Sequence, residues 1–253
     1  DHKNPVECCE KDRVRMMLTS QVFAIMSGTA TKEQTAAISR SADKYLFDEK
    51  AGGYRLNTNF REEKFDLGRM FGFAYGEKEN GAVFSHMAVM YANALYSQGF
   101  VKEGYKVLNT LLHAAMNFES SYMYPGLPEY FDSDGRGLYA YLTGAASWYM
   151  LTMITEVFGV KGQLGDMVIA PALMPEQYDQ EGKASLKIEF AGRKFSIHIF
   201  NREKKEWNRV QIKEAFCDGT LLSAEGGRQA RLKRSEIEKL TLEKVHEINI
   251  ILN

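Results

Sequence analysis

A histidine, an arginine and a Thr-Gly pair are the residues of this sequence best suited to hold an anion. His86 lies on the polar side of an apolar stretch with helical spacing, Arg136 stands between two glycines, and Thr143 and Gly144 precede a second apolar stretch. Free amides at a helix start attract anions, and small residues let them approach closely. Together these four groups would bind phosphate. The same histidine and glycine also suit plain helix packing, so spacing alone leaves both roles open.

A second candidate is a loop in which carboxylates stand beside aromatic side chains. Glu129, Asp132 and Asp134 are interspersed with Tyr130 and Phe131. Carboxylates accept hydrogen bonds from sugar hydroxyls, and aromatic rings pack on the apolar faces of sugars. Acidic turns are also common on protein surfaces, so a structural role stays open here too.

The composition is that of an ordinary globular protein. With 32 Lys and Arg against 33 Asp and Glu, the net charge is only −1, so no nucleic acid partner is expected. No run approaches the ~20 apolar residues of a membrane span. Three cysteines without a disulfide framework predict a cytoplasmic location. The sequence shows no nucleotide fingerprint and no metal-ligand spacing among its histidines, so no cofactor or metal is expected.

Residues 1–162 are predicted to be mainly helical. Thr31 begins a Thr-Lys-Glu-Gln run typical of a helix N-cap, and residues 48–80 lack periodicity, which predicts a long structured loop. The last helix is apolar on every side, which predicts that other helices surround it. Five helices with long loops on one side would form about half of an α/α toroid. The predicted helices cover residues 14–27, 31–47, 82–97, 101–117 and 138–158.

The pattern changes to β-strands after residue 162. Apolar and polar residues alternate in 186–190 and in 195–199, on either side of an Ala-Gly turn. Further strands are predicted near 210–212 and over 245–252. The fold class is therefore mainly α with a β domain, in which a small antiparallel β-sandwich over 163–253 follows the helical part.

Two runs of residues are distinctive in their order and spacing. They are GEKENGAVFSH at 76–86 and YLTGAASW at 141–148. Both resemble the inverting disaccharide and oligosaccharide phosphorylases, a family that includes cellobiose and chitobiose phosphorylases. Residues 18–28 and 159–175 resemble further segments of that family, and the resemblance covers most of residues 13–180.

The resemblance implies an (α/α)6 barrel followed by a C-terminal β-domain. It implies a glycosyltransferase that cleaves a β-linked glucoside with inorganic phosphate as co-substrate and releases a sugar 1-phosphate. In that family a histidine and a Thr-Gly pair bind phosphate, which carries over to His86, Thr143 and Gly144. A Lys-Glu pair contacts the acceptor-side sugar, which carries over to Lys78 and Glu79.

Other sugar contacts follow the resemblance less closely. A family tyrosine before the Lys-Glu pair aligns with either Tyr75 or Phe73, so both stay open. The loop 124–139 is similar to the oligoglucan and cyclic-glucan branch, and within it Glu129 and Tyr130 are expected to contact the substrate.

The sequence also departs from the family. The general acid there is an aspartate in an Asp-Trp-Asn-Asp-like stretch upstream of the segment containing Gln21, and no such stretch occurs in this sequence. We therefore expect a C-terminal part of the enzyme, inactive alone, with the acid on a segment before Asp1. A partial barrel would expose apolar helix faces, so self-association or a companion N-terminal chain is expected.

Two other functions fit the same residues. The first is a glycoside hydrolase on a similar toroid, with Glu79 or Asp132 as the acid and water as the nucleophile. The second is a non-catalytic glycan-binding module with an aromatic platform. The platform would comprise Tyr122, Tyr124, Tyr130 and Phe131.

Overall fold

A computed structural model of the protein describes residues 5–10, 13–123, 126–140 and 144–253. The chain mixes helices with sheets and forms two compact units, Asp1–Met150 and Leu151–Asn253. The division lies inside a helix, earlier in the chain than the change of sequence pattern at residue 162. In the described ranges, every helix is too short or too polar to span a bilayer.

Helices form the core of the first unit. Helix α3 is buried on nearly all sides, as its apolar composition predicts, because it packs against both α1 and α4. Each of these helices contributes fully buried side chains, and at most 1% of the surface of each is exposed. They are Leu18 of α1, Tyr91 and Leu95 of α3, and Leu111 of α4. The helices are α1 (Leu18–Met26), α2 (Lys32–Tyr45), α3 (Ser85–Ser97), α4 (Val101–Met116) and the short α5 (Phe118–Ser121).

The start of α2 confirms the predicted N-cap. The Thr31 hydroxyl accepts a hydrogen bond from the Gln34 amide at 3.2 Å, and the Gln34 side chain accepts one from the Thr31 amide at 2.8 Å. The start of α1 differs from the prediction at residue 14. Arg13–Arg15 instead forms strand β2, which pairs with β1 (Cys8–Glu10), and this pairing delays the helix to Leu18.

Buried polar side chains hold the long loop that follows α2. It opens with a hairpin of β3 (Phe47–Asp48) and β4 (Gly53–Tyr54). The Asn57 side chain accepts a hydrogen bond from the Gly81 amide at 2.8 Å, and the Arg55 guanidinium donates to Asp48 at 2.9 Å and to the Gly81 carbonyl at 2.7 Å. These bonds make the loop ordered despite its lack of periodicity.

The last helix of the first unit is shorter than predicted. Residues Gly137–Leu138 form a strand, so α6 covers only Gly144–Thr152 and continues as a π-helix over Met153–Val157. The prediction that it is surrounded by helices is wrong for the described residues, because Met150 is 60% exposed and Leu151 45% exposed.

Two sheets make up most of the second unit. The hairpin predicted at Ala191-Gly192 is confirmed, with full antiparallel pairing of its strands. One sheet has the order β10-β11-β16-β12-β13 and the other β14-β15-β9-β8. The strands are β8 (Val160–Gln163), β9 (Asp166–Ile169), β10 (Lys183–Phe190), β11 (Arg193–Phe200), β12 (Ile212–Cys217), β13 (Thr220–Leu221), β14 (Ser223–Glu225), β15 (Gln229–Leu232) and β16 (Val245–Leu252), with the short helix α7 (Arg234–Ile237) before β16.

The first of these sheets is not purely antiparallel, which corrects the prediction. Strand β16 enters between β11 and β12 and runs parallel to β11. The chain between β11 and β16 passes through β12 to β15 and α7, and such a long connection is what a parallel pair requires, since a tight hairpin joins only antiparallel strands. His246, Ile248 and Ile250 alternate toward the interior and are at most 1% exposed, so β16 is a central strand.

Candidate functional site

A small three-stranded sheet gathers the segments that carry most of the predicted site. Strand β5 (Val83–Phe84) pairs with β6 (Tyr130–Phe131), which pairs with β7 (Gly137–Leu138). Strand β5 runs directly into α3, whose first amide, that of Ser85, donates to the Glu129 carbonyl at 2.9 Å. Segments separated by about fifty residues in sequence therefore become neighbours.

His86 lies against the first residue of α6. A Cβ atom placed on Gly144 would lie 2.5 Å from Cε1 and 2.6 Å from Nδ1 of His86, so only glycine fits beside this ring. Trp148, one turn further along α6, has its ring 5.9 Å from the imidazole. The structure thus brings together His86 and Gly144. Thr143, the third predicted phosphate ligand, lies outside the described residues.

The environment of His86 favours its neutral form. Burial lowers the pKa of the imidazole below its usual value. Its Nε2 atom is buried and has no hydrogen-bond partner within the described part of the chain. A buried polar atom without a partner is costly, and such atoms mark places where a ligand or water binds.

Arg136 has a different neighbour. Its guanidinium lies 6.0 Å from the centre of the Tyr122 ring, and its backbone amide donates to the Asp132 carboxylate at 3.0 Å. Within the part of the chain that the structure describes, no hydrogen bond or ring contact joins this guanidinium to His86. The structure therefore gives the predicted phosphate role of Arg136 no geometric support.

Lys78 is held beside an aromatic residue that the sequence did not single out. Its ammonium lies 4.1 Å from the centre of the Tyr139 ring and 5.8 Å from that of Phe73. The hydrogen bond with Tyr139, helped by the nearby carboxylates of Glu129 and Glu79, raises the pKa of Lys78. Lys78 therefore carries a positive charge at neutral pH.

Glu77 and Glu79 lie on the same loop as Lys78 but have different partners. One Glu79 oxygen pairs with Arg69 at 2.9 Å, while the other is buried without a partner in the part of the chain that the structure describes. Glu77 accepts a hydrogen bond from the Tyr130 hydroxyl at 3.0 Å. Glu79 therefore keeps one oxygen able to accept a hydrogen bond from a ligand.

Tyr75 and Phe73, the two candidates for the family tyrosine, have different surroundings. The Tyr75 ring packs against Gly81 and beneath Arg55, and its hydroxyl donates to the Asn57 carbonyl at 3.3 Å. Tyr75 thus helps to hold the loop, whereas Phe73 lies beside Lys78.

The aromatic platform is not present as predicted. Tyr130 is 3% exposed and Phe131 is fully buried, because both lie in the middle strand of the small sheet. Burial and the hydrogen bond to Glu77 raise the pKa of Tyr130. Tyr122 is 74% exposed, and Tyr124 lies outside the described residues. A direct sugar contact through the Tyr130 ring would require the strand to open.

The acidic turn has a structural task. The Asp132 carboxylate accepts hydrogen bonds from the amides of Asp134 and Arg136 at 2.9 and 3.0 Å. Asp134 pairs with Lys50 at 2.7 Å, which lowers the pKa of Asp134. These contacts close the turn between β6 and β7, which weakens the hypothesis of Asp132 as the acid of a hydrolase.

No binding role was predicted from the sequence for Tyr139, Trp148 or Glu77, although Glu77 lies within the GEKENGAVFSH run. Trp148 stands inside the YLTGAASW run, so its position one turn after Gly144 was a usable signal. Strands of two residues gave no such signal for Tyr139. Within the described ranges, no three His, Cys, Asp or Glu side chains are grouped to hold a metal ion.

Comparison with known proteins adds to this geometry. Residues 1–159 match the family described as the glycosyl hydrolase 94 superfamily, catalytic domain. Cellobionic acid phosphorylase of Neurospora crassa is 26% identical over 76% of this chain and 25% of its own length. Solabiose phosphorylase of Paenibacillus borealis is 24% identical over 89% of this chain and 29% of its own. The chain thus spans 25% and 29% of the lengths of these two relatives.

Two further proteins are similar to this chain. The cyclic β-(1,2)-glucan synthase of Rhizobium meliloti is 24% identical over 70% of this chain and 7% of its own length. A solved structure described as a sialidase covers 90% of this chain and 22% of its own, with a TM-score of 0.54 and 14% identity. The last likeness concerns the fold alone.

Proposed function

Because the chain belongs to the glycosyl hydrolase 94 superfamily, we propose that it forms the phosphate-binding and acceptor-side part of an inverting glycoside phosphorylase. The first unit would be the C-terminal half of an (α/α)6 barrel. The whole enzyme, a glycosyltransferase, would cleave a β-linked glucoside with inorganic phosphate and release a sugar 1-phosphate. Phosphate is then a co-substrate, and the reaction requires no cofactor. A cytoplasmic location stays a prediction from cysteine usage.

One observation carries this proposal. The His86 imidazole lies against Gly144 at the first turn of α6, and its buried Nε2 has no partner in the described residues. An anion at this place would receive a hydrogen bond from the imidazole and backbone amides from the helix start. Thr143, directly before Gly144, would add a hydroxyl.

The chemistry suits this arrangement. In inverting phosphorolysis, phosphate attacks the anomeric carbon while a carboxylic acid on the opposite side protonates the leaving oxygen. Phosphate is itself the nucleophile, so no separate base is needed. The task of His86 and Gly144 is therefore to hold the anion in line with the bond that breaks. On the leaving side, charged Lys78 and the open oxygen of Glu79 would bind hydroxyls of the acceptor sugar, with Glu129 beside them.

The proton donor would come from outside these residues. The sequence has no Asp-Trp-Asn-Asp-like stretch. Among the described carboxylates near the site, one Glu79 oxygen pairs with Arg69, Glu77 accepts a hydrogen bond from Tyr130, and Asp132 holds the acidic turn. Phosphate-dependent release of sugar 1-phosphate should then require a longer chain or a companion chain. Turnover by these 253 residues alone would contradict this placement.

A covering segment is also part of the proposal. Apolar side chains at the surface of α1, α4 and α6 support either self-association or a companion N-terminal chain, because such faces are normally covered. Among them are Phe23, Met116 and Met150, which are 50%, 55% and 60% exposed.

The direct test is phosphate binding observed at His86. We expect inorganic phosphate to shift the His86 imidazole signals in NMR spectra and to raise its pKa, because an anion favours the charged ring. His86→Ala should abolish saturable stabilisation by phosphate in thermal unfolding. His113→Ala, which removes an exposed histidine of α4, is the matched control. An unresponsive His86, or equal losses in both variants, would refute the proposal.

A further inference from the structure

Three aromatic rings cross the small sheet from the buried start of α3 to the surface. The rings of Phe84 and Tyr130 stack at 6.4 Å with an angle of 3° between their planes, and Tyr130 lies 6.0 Å from Tyr139. Tyr130 is 3% exposed, whereas Tyr139 is 37% exposed. Tyr139 is thus the end of this row that reaches solvent.

The backbone at this end is unusual. Lys78 and Tyr139 have φ angles of 43° and 62°, in the left-handed region that side chains other than glycine rarely adopt. Two strained residues from different segments meet here, with the ammonium 4.1 Å from the ring centre. Strain of this kind tends to persist where function requires a fixed side-chain direction.

We propose that Tyr139 stacks against the pyranose ring of the acceptor sugar, whereas the sequence predicts a substrate contact for Tyr130. This proposal rests on the proposed function of the site. Lys78 lies over the phenol ring, and the sugar would pack on the part of the ring that reaches solvent. β-Glucose carries axial C–H groups on both sides of its ring, which suit an aromatic face. Lys78 and the Glu129 carboxylate would then bind its hydroxyls.

Tyr122 offers a matched comparison. It is also a left-handed tyrosine, with φ of 53°, and it is 74% exposed. Its conformation has a plain explanation, because it ends α5, where a left-handed residue commonly closes a helix. Tyr122 therefore has a left-handed backbone like that of Tyr139 and is more exposed, but it lacks the neighbours Lys78 and Tyr130.

The experiment is saturation-transfer NMR with glucose as the probe and mannitol, a linear polyol without a ring face, as its control. We expect transfer to the axial protons of glucose and little transfer to mannitol. Tyr139→Ala should weaken glucose binding about tenfold, the size of a lost aromatic contact with its hydrogen-bonding neighbours. Tyr139→Phe should retain binding because it keeps the ring, and Tyr122→Ala should match the unchanged protein.

The outcomes separate this inference from the proposed function. The response of His86 to phosphate shows that each variant is folded and tests the anion site by itself. If His86 responds while glucose shows no transfer, or if Tyr139→Ala binds glucose normally, the stacking role of Tyr139 is overturned. Equal losses in Tyr139→Ala and Tyr122→Ala would also overturn it. Glucose binding with an unresponsive His86 would refute the phosphate site and leave Tyr139 supported.

Discussion

Gly144→Ala should disable the anion site by moving His86. The added Cβ would lie 2.5 Å from Cε1 and 2.6 Å from Nδ1 of the imidazole. Carbon atoms pack at roughly 3.5 Å or more, so the ring must move by about 1 Å. A hydrogen bond lengthened by that much is lost.

The size of the effect follows from these distances. A hydrogen bond to a charged group contributes about 1.5–3 kcal/mol, so phosphate affinity should fall roughly 10- to 150-fold. Stability should change less. Overpacking costs about 1–3 kcal/mol, while alanine in place of glycine returns up to ~1 kcal/mol within a helix.

The assay is calorimetric titration with phosphate, with urea unfolding measured in parallel. Gly72→Ala is the control, because a Cβ at Gly72 meets nothing within 4 Å. In a His86→Ala background the clash disappears, so Gly144→Ala should then cost no stability. Unchanged phosphate affinity in Gly144→Ala, or an equal stability cost with and without the His86 ring, would refute the reasoning.

Three further predictions concern titration and capping. Burial lowers the pKa of His86 in the folded protein. As the pH drops through ~6.5, the imidazole of the unfolded chain is therefore protonated before that of the folded protein, and the free energy of unfolding should fall. In urea unfolding of His86→Gln, the free energy of unfolding should no longer show this fall with pH. Burial alone would raise the pKa of Asp218, but hydrogen bonds from Lys244 and His246 lower it to about 2. The ionised Asp218 should therefore stabilise the fold above pH ~4, and this contribution should be lost in acid unfolding as the pH falls toward 2. The variant Asp218→Asn should lack this contribution at every pH. Thr31→Ala removes the cap of α2 and should cost ~1 kcal/mol in urea unfolding, whereas Thr29→Ala, before the cap, should cost little.

Local chemistry explains what the sequence could predict of the fold. The cap at Thr31 and the turn at Ala191-Gly192 depend on a few adjacent residues, so their patterns identify them directly. The start of α6 could not be read this way. Its predicted first residue, Leu138, pairs instead with Tyr130 in the small sheet, and pairing across a loop leaves no local periodicity.

The candidate site likewise contains residues that local sequence motifs identify and residues that they do not. The motifs identified His86, Gly144 and Lys78, and the structure places the first two in contact. Sequence reasoning gave Tyr130 the exposed position that Tyr139 holds. The exposure of each ring depends on strand order in the sheet and on a left-handed backbone at a residue other than glycine, and neither has a marker in the amino-acid pattern.

The closed turn between β6 and β7 has a consequence for how this scaffold can diversify. The hydrogen bonds of Asp132 and the pair of Asp134 with Lys50 lie within the tip, so a change in its length would have to replace these contacts to keep Tyr130 opposite Leu138 and Phe131 opposite Gly137. Divergence at this tip is therefore expected in its exposed side chains rather than in its length, because the neighbouring strand leads into the helix that carries His86.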